Sequence, residues 1–160
     1  MKNIITSFLI FCLIIASIIY SISTAKASGN GAFYMQFHDV GNLLEVTVMA
    51  DSGKQTINAV GIGLNFPTDK LSIESVDTGS STCELFIENN YDNDKGEYKI
   101  SCGTPRRDVV GENQIVKLYF KVKDTGEMNM NFSDDTMMLA ADGYGTNILG
   151  QAINSQLIIN

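Results

Sequence analysis

The residues best suited to chemistry are the acidic ones in the segment 88–97, ENNYDNDKGE. Asp92 and Asp94 have the alternate spacing of calcium-binding oxygen ligands. An EF-hand loop that starts at Asp92 needs an oxygen ligand at its fifth position and a glycine at its sixth, but Gly96 and Glu97 stand there. The sequence therefore predicts a hairpin loop, with a weak calcium site at Asp92 and Asp94 as the alternative.

The sequence contains no recognisable signature of a catalytic nucleophile or of an acid–base pair. His38 is the only histidine and stands beside Asp39, but no Gly-x-Ser-x-Gly signature accompanies them. Asp134 and Asp135 are adjacent, so an extended chain points them to opposite sides rather than across one substrate. No phosphate-binding glycine loop precedes a helix, because no helical period is present. The sequence therefore predicts a protein that is not an enzyme.

The elements that must position these residues are short β-strands. Apolar residues alternate with polar ones in four segments, and turn residues separate the segments. Strands spaced roughly 8 to 12 residues apart with polar turns are typical of a β-sandwich or barrel, so the predicted fold class is all-β. The inward positions are Leu44, Val46 and Val48; Val60, Ile62, Leu64 and Phe66; Val116, Leu118, Phe120 and Val122; and Met128, Met130 and Phe132.

The N-terminal residues stand apart from this pattern. An apolar run over residues 4–22 follows Lys2 and precedes Ala25-Lys26-Ala27, which has the form of a signal-peptidase site. The sequence predicts a signal peptide over residues 1–27, with an uncleaved membrane anchor as the alternative, since about 20 apolar residues span a bilayer. Residues 28–160 are then one domain that is secreted or held at the cell surface.

That domain is strongly acidic. Without Lys2 and Lys26, nine cationic residues remain against 18 acidic ones, which leaves a formal charge of −9. Such a surface repels nucleic acid and anionic lipid, so no nucleic-acid partner is expected. Membrane contact is expected only through an uncleaved N-terminal segment.

Two cysteines remain in the domain, Cys83 and Cys102. In an oxidising compartment a disulfide between them is expected, and two buried free thiols are the alternative. Cys83 alternates with Leu85 and Ile87, so these three side chains are expected to share one inward strand face. With a single histidine far away in sequence, no metal site and no cofactor are expected at the pair.

The strand over residues 57–66 has one face of unusually small residues. Gly61 and Gly63 lie opposite the inward apolar positions of this strand. A strand glycine marks a bulge or bend, or lets another backbone approach closely. The glycines therefore relieve crowding beneath a loop or, in the functional interpretation, belong to a flat partner-binding face made of Ala59, Gly61, Gly63 and Asn65.

Carbohydrate binding is the main alternative function. Sugar rings stack on aromatic faces, but the chain has no tryptophan. Tyrosines are the substitutes, and Tyr119 lies between Lys117 and Lys121 on the polar face of its strand. These three residues are candidates for contact with a partner.

The other candidate is the loop Asp142-Gly-Tyr-Gly-Thr-Asn147. Its Asp, Asn and Gly residues predict a turn, because short polar side chains bond to their own backbone and glycine adopts positive φ. Tyr144 is then an exposed aromatic at the tip, so Asp142, Tyr144 and Asn147 are candidates for ligand contact.

Four segments together resemble the cohesin-domain family: LLEVTVMADSG, INAVGIGLNFPTDKLSIESV, SCGTPRRDVVGENQIVKLYFKVK and MMLAADGYGTNILGQAI. The part AADGYGTNILG is the most specific, being similar to the DGxGTN-type ending of cohesin-like domains. The resemblance implies a nine-stranded jelly-roll β-sandwich, a fold shared with some cellulose-binding modules. It also implies non-catalytic binding of a dockerin, a small calcium-loaded module, in polysaccharide-degrading or cell-surface assembly. A carbohydrate-binding module that contacts polysaccharide directly and a self-assembling surface protein are the alternatives.

Overall fold

The computed structural model describes residues 29–159, so the predicted signal peptide lies outside the described residues. The described chain forms β-strands, which confirms the all-β prediction. They are β1 (Gly31–Val40), β2 (Leu43–Asp51), β3 (Ile57–Asn65), β4 (Leu71–Asp77), β5 (Leu85–Asp92), β6 (Glu97–Gly103), β7 (Glu112–Val122), β8 (Gly126–Phe132), β9 (Met137–Ala140), β10 (Leu149–Ala152) and β11 (Ser155–Ile159). Within residues 29–159, no helix is long and apolar enough to cross a membrane.

The strands form two sheets that face each other as a sandwich. One sheet has five strands in the order β10-β1-β2-β7-β4. The other has six, with the order β11-β8-β3-β6-β5 and with β9 beside β3. The pair β1 and β10 is parallel, and the remaining pairs are antiparallel. We call these the five-stranded and the six-stranded sheet.

The expected strand count of nine is wrong, because the described residues form eleven strands. Both additional strands arise where the chain interrupts what would otherwise be one longer strand. Residues 133–136 separate β8 from β9, although both strands pair with β3. Near the C-terminus, β10 pairs with β1 of the five-stranded sheet and β11 pairs with β8 of the six-stranded sheet. The chain therefore changes sheets between β10 and β11, and this change divides the closing strand in two.

The core lies between the sheets and consists of the inward side chains that alternation predicts. Among the buried residues are Val46, Ile62 and Leu118. Phe66, just after β3, and Phe120 of β7 meet edge to face with ring centroids 5.1 Å apart. Burial of these apolar side chains is the main force that holds the sheets together.

The disulfide between Cys83 and Cys102 is confirmed, with their Cα atoms 5.8 Å apart. The expected shared inward face is wrong, because Leu85 and Ile87 are exposed. Cys83 lies before β5 begins, and Phe86 is the residue that pairs with Cys102. Phe86 packs against the core, so its two neighbours Leu85 and Ile87 point to the outer face of the sheet.

Candidate partner-binding face

Four small residues make a floor on the outer face of the six-stranded sheet. Ala59 and Gly61 of β3 pair with Gly103 and Ser101 of β6. All four are half-buried. Because no long side chain rises from these positions, the backbone of the two central strands lies close to the surface.

Larger apolar side chains border this floor on both sides. On β9, Leu139 pairs with Ala59 and Met137 pairs with Gly61. On β5, Leu85 pairs with Gly103, and Ile87 on the same outer face is 81% exposed. A depression of about 250 Å³ lies above the floor, with Ile87 and Met137 among the residues that line it. We call this surface the apolar trough: its floor is Ala59, Gly61, Ser101 and Gly103, and its walls are Leu85, Ile87, Met137 and Leu139.

Residues 133–136, which we call the arch, close one end of the apolar trough. The arch runs beside β3 at Gly63, between β8 and β9, and the Ser133 side chain lies over the glycine. The Ser133 backbone N–H donates to the Gly63 carbonyl at 2.9 Å, and the Gly63 N–H donates to Thr136 Oγ1 at 3.2 Å. A Cβ on Gly63 would lie 1.9 Å from Ser133 Oγ, so any larger residue would displace the Ser133 side chain. Asn65 lies exposed on the far side of the arch.

The predicted face of Ala59, Gly61, Gly63 and Asn65 is therefore divided. Gly63 is buried by the chain's own residues, so the crowding interpretation is correct there and Gly63 is not open to a partner. Ala59 and Gly61 remain accessible as part of the trough floor. Asn65 belongs to a separate, polar part of the sheet face.

An ion pair fixes the arch to the sheet. Lys99 Nζ lies 3.4 Å from Asp135 Oδ2, and both residues line the depression. Hydrogen bonds from Ser133 and then Lys99 lower the pKa of the Asp135 carboxyl. Asp134 and Asp135 are thus parts of the arch, and the Asp135 carboxylate is engaged by Ser133 and Lys99 rather than paired with Asp134.

Lys117, Tyr119 and Lys121 lie on β7, in the five-stranded sheet. The fold therefore places these three candidates on the opposite side of the sandwich from Ala59 and Gly61. Lys117 Nζ donates to Glu45 Oε1 at 2.9 Å, and the Glu45 side chain is only 12% exposed. The hydrogen bond to Glu45 raises the pKa of the Tyr119 hydroxyl. Glu45, Lys117 and Tyr119 form a half-buried polar network rather than a flat aromatic platform, whereas Lys121 is exposed.

We expect the Glu45 network to make stability depend on pH. The hydrogen bond from Lys117 lowers the pKa of the Glu45 carboxyl. Its contribution is therefore complete above the unfolded pKa, about 4.3 for Glu, and is lost as the pH falls through the lower folded pKa. The difference in melting temperature between the wild type and Glu45→Gln should shrink between about pH 5 and pH 3. Circular dichroism melts measure it, and a difference that stays constant with pH would contradict the assignment.

Of the three candidate residues in the loop 142–147, Asp142 and Asn147 have hydrogen-bond partners within the protein and Tyr144 is exposed. Asp142 Oδ1 accepts the Tyr144 backbone N–H at 2.9 Å, and Asp142 Oδ2 accepts the Thr146 hydroxyl. Asn147 Oδ1 accepts the backbone N–H groups of Met138 and Leu149, both at 3.1 Å. Tyr144 is 92% exposed. The turn prediction is thus supported at Asp142 and Asn147, and Tyr144 alone is free to contact a ligand.

The remaining chemical candidates are separate from one another. His38 is exposed, and its Nδ1 lies 4.0 Å from Glu45 Oε1. Asp92 Oδ1 accepts the backbone N–H groups of Asp94 and Lys95, and Lys95 Nζ lies 3.2 Å from Asp92 Oδ2. Across residues 29–159, no three His, Cys, Asp or Glu side chains are grouped to hold a metal ion. Calcium at Asp92 and Asp94 therefore stays a prediction without a structural observation to support it.

The trough walls are candidate functional residues that sequence reasoning missed. A signal for them exists in the segments LFI (85–87) and MML (137–139), where apolar residues follow one another without alternation. In a strand, consecutive side chains point to opposite faces, so such a run must present an apolar side chain outwards. Leu85, Ile87, Met137 and Leu139 are these outward residues.

Comparison with known proteins gives a likeness in structure but not in sequence. No protein-family model matches the chain, and no curated protein matches it. A cohesin module from a Clostridium perfringens family 33 glycoside hydrolase is 12% identical, with a TM-score of 0.66 over 82% of this chain and 98% of that module. The third cohesin ScaC of Acetivibrio cellulolyticus, in complex with the ScaB dockerin, is 17% identical, with a TM-score of 0.66 over 81% of this chain and 98% of that one.

A third similar structure comes from an archaeon. A non-cellulosomal cohesin from the hyperthermophile Archaeoglobus fulgidus is 13% identical, with a TM-score of 0.64 over 81% of this chain and 91% of that one. At such low identity the likeness is one of fold. The sandwich of residues 29–159, with the small-residue floor on its six-stranded sheet, has the cohesin fold.

Proposed function

We propose that this protein is a non-catalytic binding module that holds a dockerin-like protein against its apolar trough. The observation that carries the proposal is the exposed pair Ile87 and Met137, which faces across a floor of small residues. Exposed apolar side chains grouped on one surface mark protein interaction sites. The cohesin ScaC, which shares this fold, is in complex with a dockerin. An extracellular setting, in polysaccharide-degrading or cell-surface assembly, follows from the predicted signal peptide.

The dimensions of the trough suit an α-helix of the partner. Its walls stand on β5 and β9, which are three strand spacings apart, or about 14 Å. After the wall side chains are allowed for, the space between them is close to the diameter of a helix with its side chains, about 10 Å. A helix that lays an apolar face into such a groove is a common mode of recognition. The partner should therefore present apolar residues at helical spacing.

The arch limits how much of that helix makes contact. Two rows of floor residues are open, and Gly63 in the next row is covered. Successive rows on one strand face are about 7 Å apart, so the open floor accommodates about two helical turns. Lys99 and Asp135 then meet the end of the helix that points towards the arch. The contact is short, so its strength depends on the few wall residues.

We expect a charge in the trough wall to weaken partner binding strongly. Ile87→Asp and Met137→Asp each replace an apolar contact by a carboxylate that the partner would have to desolvate. Removal of a central interface residue costs about 3 kcal/mol, so affinity should fall about 100-fold. Titration calorimetry with the captured dockerin-like protein measures the loss. Ile158→Asp, at a comparably exposed position on β11, is the matched control and should bind as the wild type does.

The test of the proposal itself is a capture experiment. The purified protein is used to retain binding proteins from culture fluid and membranes of the organism that produces it, with and without a calcium chelator. Calcium-dependent capture of a protein that carries paired calcium loops, lost in Ile87→Asp, supports the proposal. Capture of polysaccharide alone, or capture that Ile87→Asp leaves unchanged, would show that the trough is not a dockerin-like site.

A further inference from the structure

The edge of the five-stranded sheet is open along the second half of β1. β10 pairs with β1 only at Gly31–Phe33, and the Ile153 N–H then donates to the Phe33 carbonyl at 2.8 Å. Beyond Ile153 the chain leaves this edge, because β11 pairs with β8 of the other sheet. On its other side, β1 pairs with β2 without a bulge from Ala32 to Val40. The open edge therefore belongs to a regular strand.

The free backbone groups of this edge belong to three residues. Successive residues of a strand direct their N–H and C=O groups to alternate sides, and Phe33 directs its carbonyl to Ile153. Met35, Phe37 and Asp39 therefore direct theirs to the same open side. Within residues 29–159, no backbone hydrogen bond from another segment reaches these three residues on that side. An extended segment that lies beside them would gain these hydrogen bonds.

A cavity of about 570 Å³ lies between this edge and β11. Four of the side chains that line it pack against the core and are only partly buried: Phe37, Val122, Leu157 and Ile159. Its volume is within the range of about 300 to 1,000 Å³ that is typical of ligand pockets. A strand added to β1 would direct every second side chain into the cavity. The cavity thus offers an apolar site for a side chain of that strand.

The mouth of the cavity has one charged side chain, that of Asp39. Asp39 pairs with Leu44, which is 8% exposed, so both side chains lie on the inward face of the sheet. Asp39 is exposed, and none of the ion pairs among residues 29–159 includes it. Lys70 Nζ donates to the carbonyl of the lining residue Thr125 at 2.6 Å, but it pairs with Asp124. The cavity therefore combines apolar walls with an unpaired carboxylate.

We propose that β1 accepts an extended segment of a basic partner protein as an added antiparallel strand. Antiparallel pairing is the more stable arrangement per residue. In this register an apolar residue of the segment lies opposite Phe37 and enters the cavity. A lysine two positions before it lies opposite Asp39. The segment therefore has the pattern lysine, any residue, apolar residue.

The inward carboxylate determines which segments are accepted. An inward-pointing charge on an edge strand opposes pairing with a neutral or acidic segment. A second copy of this chain, with 18 acidic residues against 11 cationic ones, is therefore disfavoured. A lysine opposite Asp39 replaces the unfavourable contact by an ion pair, so one side chain both rejects and selects partners.

Titration of the isotope-labelled protein with capped peptides, followed by NMR, tests this inference. The probe is Thr-Lys-Thr-Ile-Thr, and the matched control is Thr-Glu-Thr-Ile-Thr. The probe should shift the amide signals of Phe37 and Asp39 with a Kd of about 1 mM, since one short strand makes few contacts. The control should bind at least about fivefold more weakly. Methylation of the isoleucine nitrogen removes the N–H that pairs with Phe37 and should abolish binding.

A charge reversal tests the role of the carboxylate. Asp39→Lys should reverse the preference between the two peptides, whereas Asp108→Lys, at another exposed position, should leave it unchanged. Unchanged melting temperatures establish that both variants fold. Ile87→Asp should bind the probe normally, because β1 and β5 lie in different sheets, so this inference and the proposed trough function are tested separately.

Three results would overturn the inference. The first is the absence of shifts at Phe37 and Asp39 up to about 10 mM probe. The second is an Asp39→Lys variant that keeps the preference of the wild type. The third is a wild type that sediments as a dimer through β1, because a second copy would then occupy the edge. Tighter binding of the reversed sequence Thr-Ile-Thr-Lys-Thr would overturn the antiparallel direction.

Discussion

Replacement of Gly96 by alanine is expected to lower the free energy of unfolding by about 3 kcal/mol. Gly96 lies in the turn between β5 and β6 with φ at +70°, in the left-handed region that alanine avoids. A Cβ there would also lie 2.2 Å from the carbonyl oxygen of Phe66. The backbone cannot simply withdraw, because the Phe66 N–H donates to the Gly96 carbonyl at 2.8 Å. Conformational strain and overpacking therefore act together.

Gly143→Ala separates the two causes. Gly143 has φ at +78°, but no atom lies within 4 Å of the position that its Cβ would occupy. This control should lose about 1 kcal/mol, the cost of the left-handed conformation alone. Urea unfolding of both variants measures the difference. Equal losses would mean that the turn relaxes around the new methyl group. Since this turn joins the β5 wall to the trough floor, a large loss would also weaken partner binding.

Loss of the disulfide is expected to cost about 3 kcal/mol by the chain-entropy relation. Cys83 and Cys102 are 19 residues apart in sequence, and breaking the bond frees that loop in the unfolded chain. Guanidinium unfolding with and without a reducing agent measures the change in the wild type. The double variant Cys83→Ala with Cys102→Ala should match the reduced wild type and should not respond to the reducing agent.

The disulfide also bears on the candidate site. It ties the chain just before β5 to β6, and β5 carries Leu85 and Ile87 of the trough wall. Reduction should therefore weaken binding of the trough partner before the domain unfolds. A reduced protein that keeps both its stability and its affinity would show that packing around Phe86 holds β5 in place without the covalent link.

The sequence by itself determined the all-β class, the inward faces of the regularly alternating strands and the cysteine pair. Alternation over residues 60–66 is a local property, since successive side chains in a strand point to opposite faces, and Val60, Ile62 and Leu64 are indeed buried. The two domain cysteines had only each other as partners. The face predicted for Ile87 was wrong because the alternation was counted from Cys83, which lies before β5, whereas the pairing of Phe86 with Cys102 decides which residues of β5 face inwards.

Only the tertiary structure decided which small residues are accessible. Gly61 and Gly63 are equivalent in sequence, but the arch covers Gly63 with residues some 70 positions further along the chain. The sandwich likewise separates Lys117 and Tyr119 from Gly61, because β7 and β3 enter different sheets. The trough exists because β5, β6, β3 and β9 lie side by side. Contacts between segments so far apart follow from packing, and local periodicity contains no information about them.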